Sequence, residues 1–377
     1  MSGIYIHIPF CERKCAYCAF YSITAQNQSS YGAYVEAVLR EASMRKLEIT
    51  EPLRTLYIGG GTPSILPISL LVKLLDGLAS YFDLSVLQEI TLEANPEHLS
   101  GYLGKEFLSD IRKYTLINRL SIGIQSFFDE DLKRMNRRHT GKQALDALKS
   151  ALKVGFDNVS GDLIYGLPYL EDLRWEKNLD KIRDFQLPHF SAYSLTVEPN
   201  TILAKQIEKH RMCSPAEEDI IRQYDILTDK INQWGYERYE TSNYAQLGRY
   251  SLHNTNYWRN IPYLGLGAGA HSYNGNQRRW NISDVDLYRE DPLSDHNFKI
   301  ESLSEMDKYH EYIMLSLRTQ WGIRKNKISE FSASIQDSFF KEVSKEIACG
   351  HLTETTNAYI ALGTSQLKVD GIALNFF

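Results

Sequence analysis

Three of the chain's five cysteines fall within eight residues, as Cys11, Cys15 and Cys18 of CERKCAYC. On a loop, the C-x3-C-x2-C spacing lets three sulfurs converge on one centre, and thiolate is the ligand that suits iron–sulfur clusters and zinc. Three thiolates leave one coordination position open. Structural zinc usually closes with a fourth protein ligand and paired cysteines, whereas here His7 is the only nearby imidazole and no second C-x2-C exists. The donor set therefore favours an iron–sulfur cluster over structural zinc. Cys213 and Cys349 stand alone and read as structural residues.

Further polar or glycine-rich groups recur at the ends of β-rich runs. In GGGTPS, Gly60, Gly61 and Thr62 offer close backbone approach and free N–H groups for the polar head of a ligand, or simply a tight turn. Glu93 in LEANP and Asp162 in GDLIYGLP can accept from hydroxyl or ammonium groups, and Gln125 in GIQSF can bond an amide or hydroxyl edge. Arg137 in NRRHT can clamp a carboxylate. Each alone is an ordinary structural polar residue; together they mark one face.

The elements that must position them alternate. Six runs, GIYIHIPF, TLYIGGG, EITLEANP, RLSIGIQSF, NVSGDLIYGLP and HFSAYSLTVEP, are separated by helical patterns up to about residue 200. Such alternation predicts right-handed βαβ units, one parallel sheet and an open or incomplete barrel, with ligands beyond the carboxyl ends of the strands. After residue 303 the pattern changes to helices and a terminal hairpin-like YIALGTSQLKVDGIALNFF, a compact module of winged-helix type. The expected divisions are residues 1–235, an aromatic and glycine-rich extension over 236–302, and a module over 303–377.

Composition sets the outer bounds. At 377 residues, 43% hydrophobic and 24% charged, the chain can bury a sizeable core. A net charge of -5 and the lack of basic runs disfavour nucleic acid as a partner. No stretch approaches the roughly 18 apolar residues of a membrane span, and no basic leader precedes an apolar core. These features predict a cytosolic protein, where clustered thiols mean metal or catalysis more often than disulfides.

With its aromatic Tyr17 just before the third cysteine, the cysteine motif resembles that of the radical S-adenosylmethionine (SAM) superfamily. YIHIPFCERKCAYC, GGGTPS, LEANP, GIQSF, NRRHTG and DLIYGLP follow one another as in the oxygen-independent coproporphyrinogen III oxidase family, including its heme-chaperone branch, HemW. The resemblance spans residues 4 to about 275 and implies an α/β fold, an incomplete (β/α)6 barrel with a small C-terminal helical, winged-helix-like module. It implies a [4Fe-4S] cluster on Cys11, Cys15 and Cys18, with SAM chelating the free iron. Tyr5, Tyr17, Gly60, Gly61, Thr62, Glu93, Gln125, Arg137 and Asp162 would then line the SAM site.

Small differences select the branch. The oxidases continue to a further cysteine two residues after the third, where this chain has Phe20, and they carry a long N-terminal arm. Many chaperone members have Asp where this chain has Ala19, which removes a carboxylate beside the cluster. In HNTNYW, His253 is a candidate heme ligand with Tyr257 and Trp258 as packing aromatics, and His271 in GAGAHSY is a second candidate. The expectation is a heme chaperone binding cluster, SAM and heme, served by an electron donor and delivering heme to an acceptor protein. The alternatives are a coproporphyrinogen III decarboxylase of the radical SAM type and a zinc-stabilised interaction scaffold.

Overall fold

The computed structural model describes residues 2–24 and 29–377. Six strands come first: β1 (Ser2–Ile8), β2 (Leu53–Gly60), β3 (Glu89–Ala94), β4 (Arg119–Gln125), β5 (Val159–Tyr165) and β6 (His189–Ser194). They pair in chain order and in parallel, each neighbour reached through a helical crossover. Their burial is nearly continuous along each strand, as expected when both sheet faces are covered. This is the α/β barrel expected from the alternation, and it remains open.

The helices close the outer layer by legible local rules. Gly141–Val154 begins at a capping box, in which Thr140 and Gln143 satisfy each other's backbone N–H groups, and ends at Gly155 with φ 97°. Such a cap stabilises a helix by about 1 kcal/mol, and the left-handed stop suits glycine. Its buried face, including Ala144, Ala147, Leu148 and Ala151, packs onto the sheet.

The sheet is larger than six strands. Tyr263–Leu266 pairs in parallel with β1 on its free side, and His271–Tyr273, Gln277–Asn281 and Phe298–Ser302 continue it antiparallel. At the opposite edge Asn243–Ala245 and Glu237–Arg238 follow β6. Residues 236–302 therefore contribute both flanks of one twelve-strand sheet.

A separate apolar cluster, running from Tyr309 to Phe376, fills the C-terminal module. Its three-strand sheet joins Ile323–Arg324, Ala358–Ala361 and Leu352–Glu354. The terminal stretch from Tyr359 is not itself a hairpin: the strand pairs backward with Leu352–Glu354, and Val369–Leu374 is helical. Buried Val369, Ile372 and Ala373 on that helix supply the apolar face that the hairpin reading assigned to a strand. The module is tied to the sheet edge, where Gln320 N donates to Tyr239 O at 3.1 Å and Thr241 Oγ1 to Arg318 O at 3.2 Å.

Candidate functional site

A cavity of about 580 Å³ opens at the carboxyl ends of β1 to β6. Cys11, Cys15, Cys18 and Tyr17 line it together with Gly60, Gly61, Thr62, Glu93, Gln125, Arg137 and Asp162. Eight of the nine positions that the resemblance assigns to SAM line it, carried on segments that follow successive strands, as the parallel topology requires. Tyr5 is absent from the lining; its phenol is hydrogen-bonded to His7 at 2.9 Å and its ring stacks near Tyr57.

The cysteine loop is held from two sides. Thr62 Oγ1 donates to Cys11 Sγ at 3.4 Å, and Arg137 Nη1 donates to Cys15 Sγ at 3.3 Å. Arg137 Nη2 also donates to Asn95 Oδ1 and to Gly123 O, both at 2.7 Å. Burial pushes the Cys11 and Cys18 thiols up from their ordinary values.

The glycines have a steric task. A Cβ on Gly61 would lie 2.8 Å from the backbone of Pro9 and Phe10, and one on Gly60, whose φ is 110°, would meet the His7 ring at 2.7 Å. Gly61 N donates to Ile8 O at 2.8 Å, so the GGGTPS turn lies directly against the segment leading into Cys11. Side chains there would push the two loops apart.

Two acids line the cavity from buried positions. Glu93 accepts from Tyr57 OH at 2.7 Å and from Gly60 N at 3.0 Å; burial raises its carboxyl to about 7, with Asp162 adding to the shift. Asp162 accepts from Ser191 Oγ at 2.8 Å and from Ser121 Oγ at 3.2 Å, and its pKa too is raised by burial. Gln125 ends β4 at φ 65°, a left-handed conformation unusual for a side-chain-bearing residue, beside an irregularity in the pairing with β5.

Sequence reading missed Asn95, which orients Arg137, Tyr57, which holds Glu93, and Tyr193, which lines the cavity. Tyr193 carries the same signal as the others, a polar group at the end of a parallel strand.

The donor set fits a cluster better than a single ion. Both nitrogens of His7 are engaged: Nε2 donates to the Tyr21 carbonyl at 2.9 Å, leaving Nδ1 to accept from Tyr5. It is not free to complete a zinc site. Among the described residues, the group of three metal-ligating side chains within 4.8 Å of one another is Glu12, Glu97 and His98, and the thiols form no such group. Ligands of one zinc, each bound at ~2.3 Å, would stand closer than these sulfurs do. Within the acidic group Glu12 is paired with Arg138, and Glu97 lies 3.4 Å from His139 Nδ1.

The HNTNYW string is divided between two surroundings. It forms the helix Leu252–Trp258, whose first N–H groups, on Leu252 and His253, donate to the Glu89 carboxylate at 2.9 and 3.0 Å. His253 is 1% exposed, with Nδ1 bonded to Thr55 Oγ1 at 2.8 Å and Nε2 to Tyr257 OH at 2.9 Å. Its ring also stacks near Tyr57, and burial lowers its pKa to about 3. In this structure both ring nitrogens of His253 are taken up within the protein, one by Thr55 and one by Tyr257. Trp258 instead faces a second cavity. His271 is exposed, stacks near Trp280 and lines neither cavity. Cys213 and Cys349 are exposed, and Cys213 Sγ lies 2.9 Å from Tyr169 OH.

Comparison with known proteins places these features in a lineage. The profile of the Radical SAM superfamily matches residues 5–182. The chain is 35% identical over 376 residues to the Heme chaperone HemW of Bacillus subtilis (strain 168), covering 98% of this chain and 97% of that one. It is also 35% identical over 347 residues to the Heme chaperone HemW of Lactococcus lactis subsp. lactis (strain IL1403), covering 92% and 89%. The solved structure of HemN from Escherichia coli, a coproporphyrinogen III oxidase and radical SAM enzyme, superposes with a TM-score of 0.82 at 22% identity, covering 100% of this chain and 89% of that one. That likeness establishes the shared fold.

Proposed function

The chain belongs to the radical SAM superfamily, in the HemW branch of its HemN-like family, and from that premise we propose that it is a heme chaperone. The observation that carries the reading is near-full-length identity to two proteins of that name, joined to a cavity whose lining agrees with the superfamily's needs.

In this reading Cys11, Cys15 and Cys18 hold a [4Fe-4S] cluster, and Gly60, Gly61, Thr62, Glu93, Gln125, Arg137 and Asp162 surround SAM. Bound together, cluster and SAM supply one-electron cleavage of a sulfonium C–S bond, or a redox-sensitive switch for heme transfer. The chain's own residues orient and shield. Thr62 and Arg137 donate to two of the three sulfurs and hold the loop in place. Glu93 and Asp162 keep acceptor oxygens at the cavity wall for ribose hydroxyls or an ammonium group, fixed by Tyr57, Gly60, Ser121 and Ser191. An electron donor reduces the cluster, and an acceptor protein takes the heme.

Phe20 is 70% exposed beside the cysteine loop, at the position where the oxidases place another cysteine. The chain lacks that thiol. No helix of the described residues is long and apolar enough to cross a membrane.

The test is a hemin titration of the anaerobically reconstituted protein, followed by mixing with an apo-hemoprotein. Saturation near one heme per chain, and appearance of the acceptor's holo spectrum, are the expected results. Absence of hemin binding, or robust decarboxylation of coproporphyrinogen III with SAM and a strong reductant, would overturn the assignment.

A further inference from the structure

The second cavity, also about 580 Å³, lies where the helix Leu252–Trp258 and the strand His271–Tyr273 meet the C-terminal module. That size is within the ~300–1,000 Å³ usual for small-molecule pockets. Its lining combines Trp258, Trp321, Tyr273, Tyr312 and Phe331 with Arg259, Arg324, Lys308 and Lys327, and includes no acidic residue. In a chain of net charge -5 this is a local reversal of sign.

The two arginines are the informative members. Arg259 lies over the Trp321 ring at 4.4 Å, and no carboxylate pairs with it or with Arg324 among the described ion pairs. Arg259 has its pKa lowered, first by burial and then by the Arg324 charge, so two like charges face the same space uncompensated. The lysines differ: Lys308 donates to Asn276 at 2.6 Å, and Lys327 pairs with Glu330 at 2.6 Å. Aromatic faces with two free guanidiniums suit a flat apolar molecule carrying carboxylates, because guanidinium binds carboxylate through two parallel hydrogen bonds.

We propose that this cleft binds the porphyrin of heme by its face and its two propionates. The proposal rests on the chaperone reading and adds to it a location distinct from His253. No histidine, cysteine or methionine lines the cleft, so recognition there is of the macrocycle and its carboxylates, with the iron left to a ligand from outside. The helix Leu252–Trp258 is the support: its first turn is fixed on Glu89, its middle by His253 between Thr55 and Tyr257, and its last residue presents Trp258. His253 is thereby a positioning residue.

The experiment titrates the full-length protein with hemin, metal-free protoporphyrin IX and protoporphyrin IX dimethyl ester, beside Arg259→Gln/Arg324→Gln. Both arginines are exposed, so the double variant is expected to fold like the parent. Hemin and protoporphyrin should bind within a few-fold of each other, and the ester at least about tenfold more weakly, as loss of charge-assisted hydrogen bonds implies. The double variant should lose a similar factor for both dicarboxylates while leaving the ester unchanged. Equal binding of ester and acid, or hemin binding untouched in the double variant, overturns the cleft while the chaperone reading stands. Tight binding of hemin but not of protoporphyrin also overturns it, moving the site to an iron ligand such as His271. A parent that binds no porphyrin removes the chaperone reading itself.

Discussion

The two cavities are equal in volume and opposite in construction. At the barrel mouth almost every polar group is already held by another: Arg137 by Asn95 and Gly123, Glu93 by Tyr57 and Gly60, Asp162 by three serines. In the cleft beside the C-terminal module, Arg259 and Arg324 have no acidic partner and stand among aromatic rings. Buried polar networks must satisfy themselves or destabilise the fold, whereas surface cations remain solvated until a ligand replaces water. The first arrangement orients chemistry; the second stores affinity for an anion.

The sharpest way to separate them is to remove the thiols. Replacing Cys11, Cys15 and Cys18 with Ser should abolish all iron–sulfur absorbance after reconstitution, with porphyrin binding by the cleft retained. A full cluster in that variant would refute the ligand assignment.

Matched arginine substitutions come next. Arg137→Met orphans Asn95 Oδ1 and the Gly123 carbonyl inside the protein, and at about 1–3 kcal/mol per unsatisfied buried group the apo chain should lose roughly 2–4 kcal/mol in denaturant unfolding. Arg259→Met breaks no ion pair and should stay within about 0.5 kcal/mol of the parent. Comparable losses at both positions would erase the contrast. His253→Ala should cost about 2–4 kcal/mol through an unfilled space between Thr55 and Tyr57. If chemical denaturation shows no loss, its positioning role is wrong.

The smallest effect is in pH. Glu93 is raised from 4.5 to about 7 by burial, so the folded state holds a proton that the unfolded state has released. Stability from this group is complete below about 4.5 and is lost as pH rises through about 7. Glu93→Gln should therefore flatten that part of the profile, seen as a growing advantage over the parent between pH 5 and 8. Glu240, raised to about 7 by burial in the same direction, leaves part of the slope in place.

Much of this was readable along the chain. The six parallel strands were visible because each is a short run rich in β-branched, aliphatic or aromatic residues ending in a polar or glycine-rich turn, and the cysteine spacing pointed to its own donor set. Tyr263–Leu266 was hidden, since YLGLGAG has only four strand residues and its pairing to β1 depends on a segment more than 250 positions earlier. The hairpin expected at the C-terminus failed because short apolar runs fit a strand or a helix equally, and packing against Tyr309 and Phe339 chose the helix for Val369–Leu374.

The string HNTNYW marks the boundary between the two kinds of knowledge. By itself the sequence determined the spacing of three thiols on the cysteine loop, the order of the strand ends that face it and the presence of an imidazole beside two aromatics, because these follow from residue type and short spacing. Only the tertiary structure decided what that imidazole does. Helical periodicity put His253 and Tyr257 on one face, and Trp258, turned away from them, on another. Which surroundings those faces met depended on the barrel strand carrying Thr55 and on a module whose Trp321 and Arg324 lie far along the chain. Burial and charge balance arise from contacts between such distant segments, and so they were settled by packing.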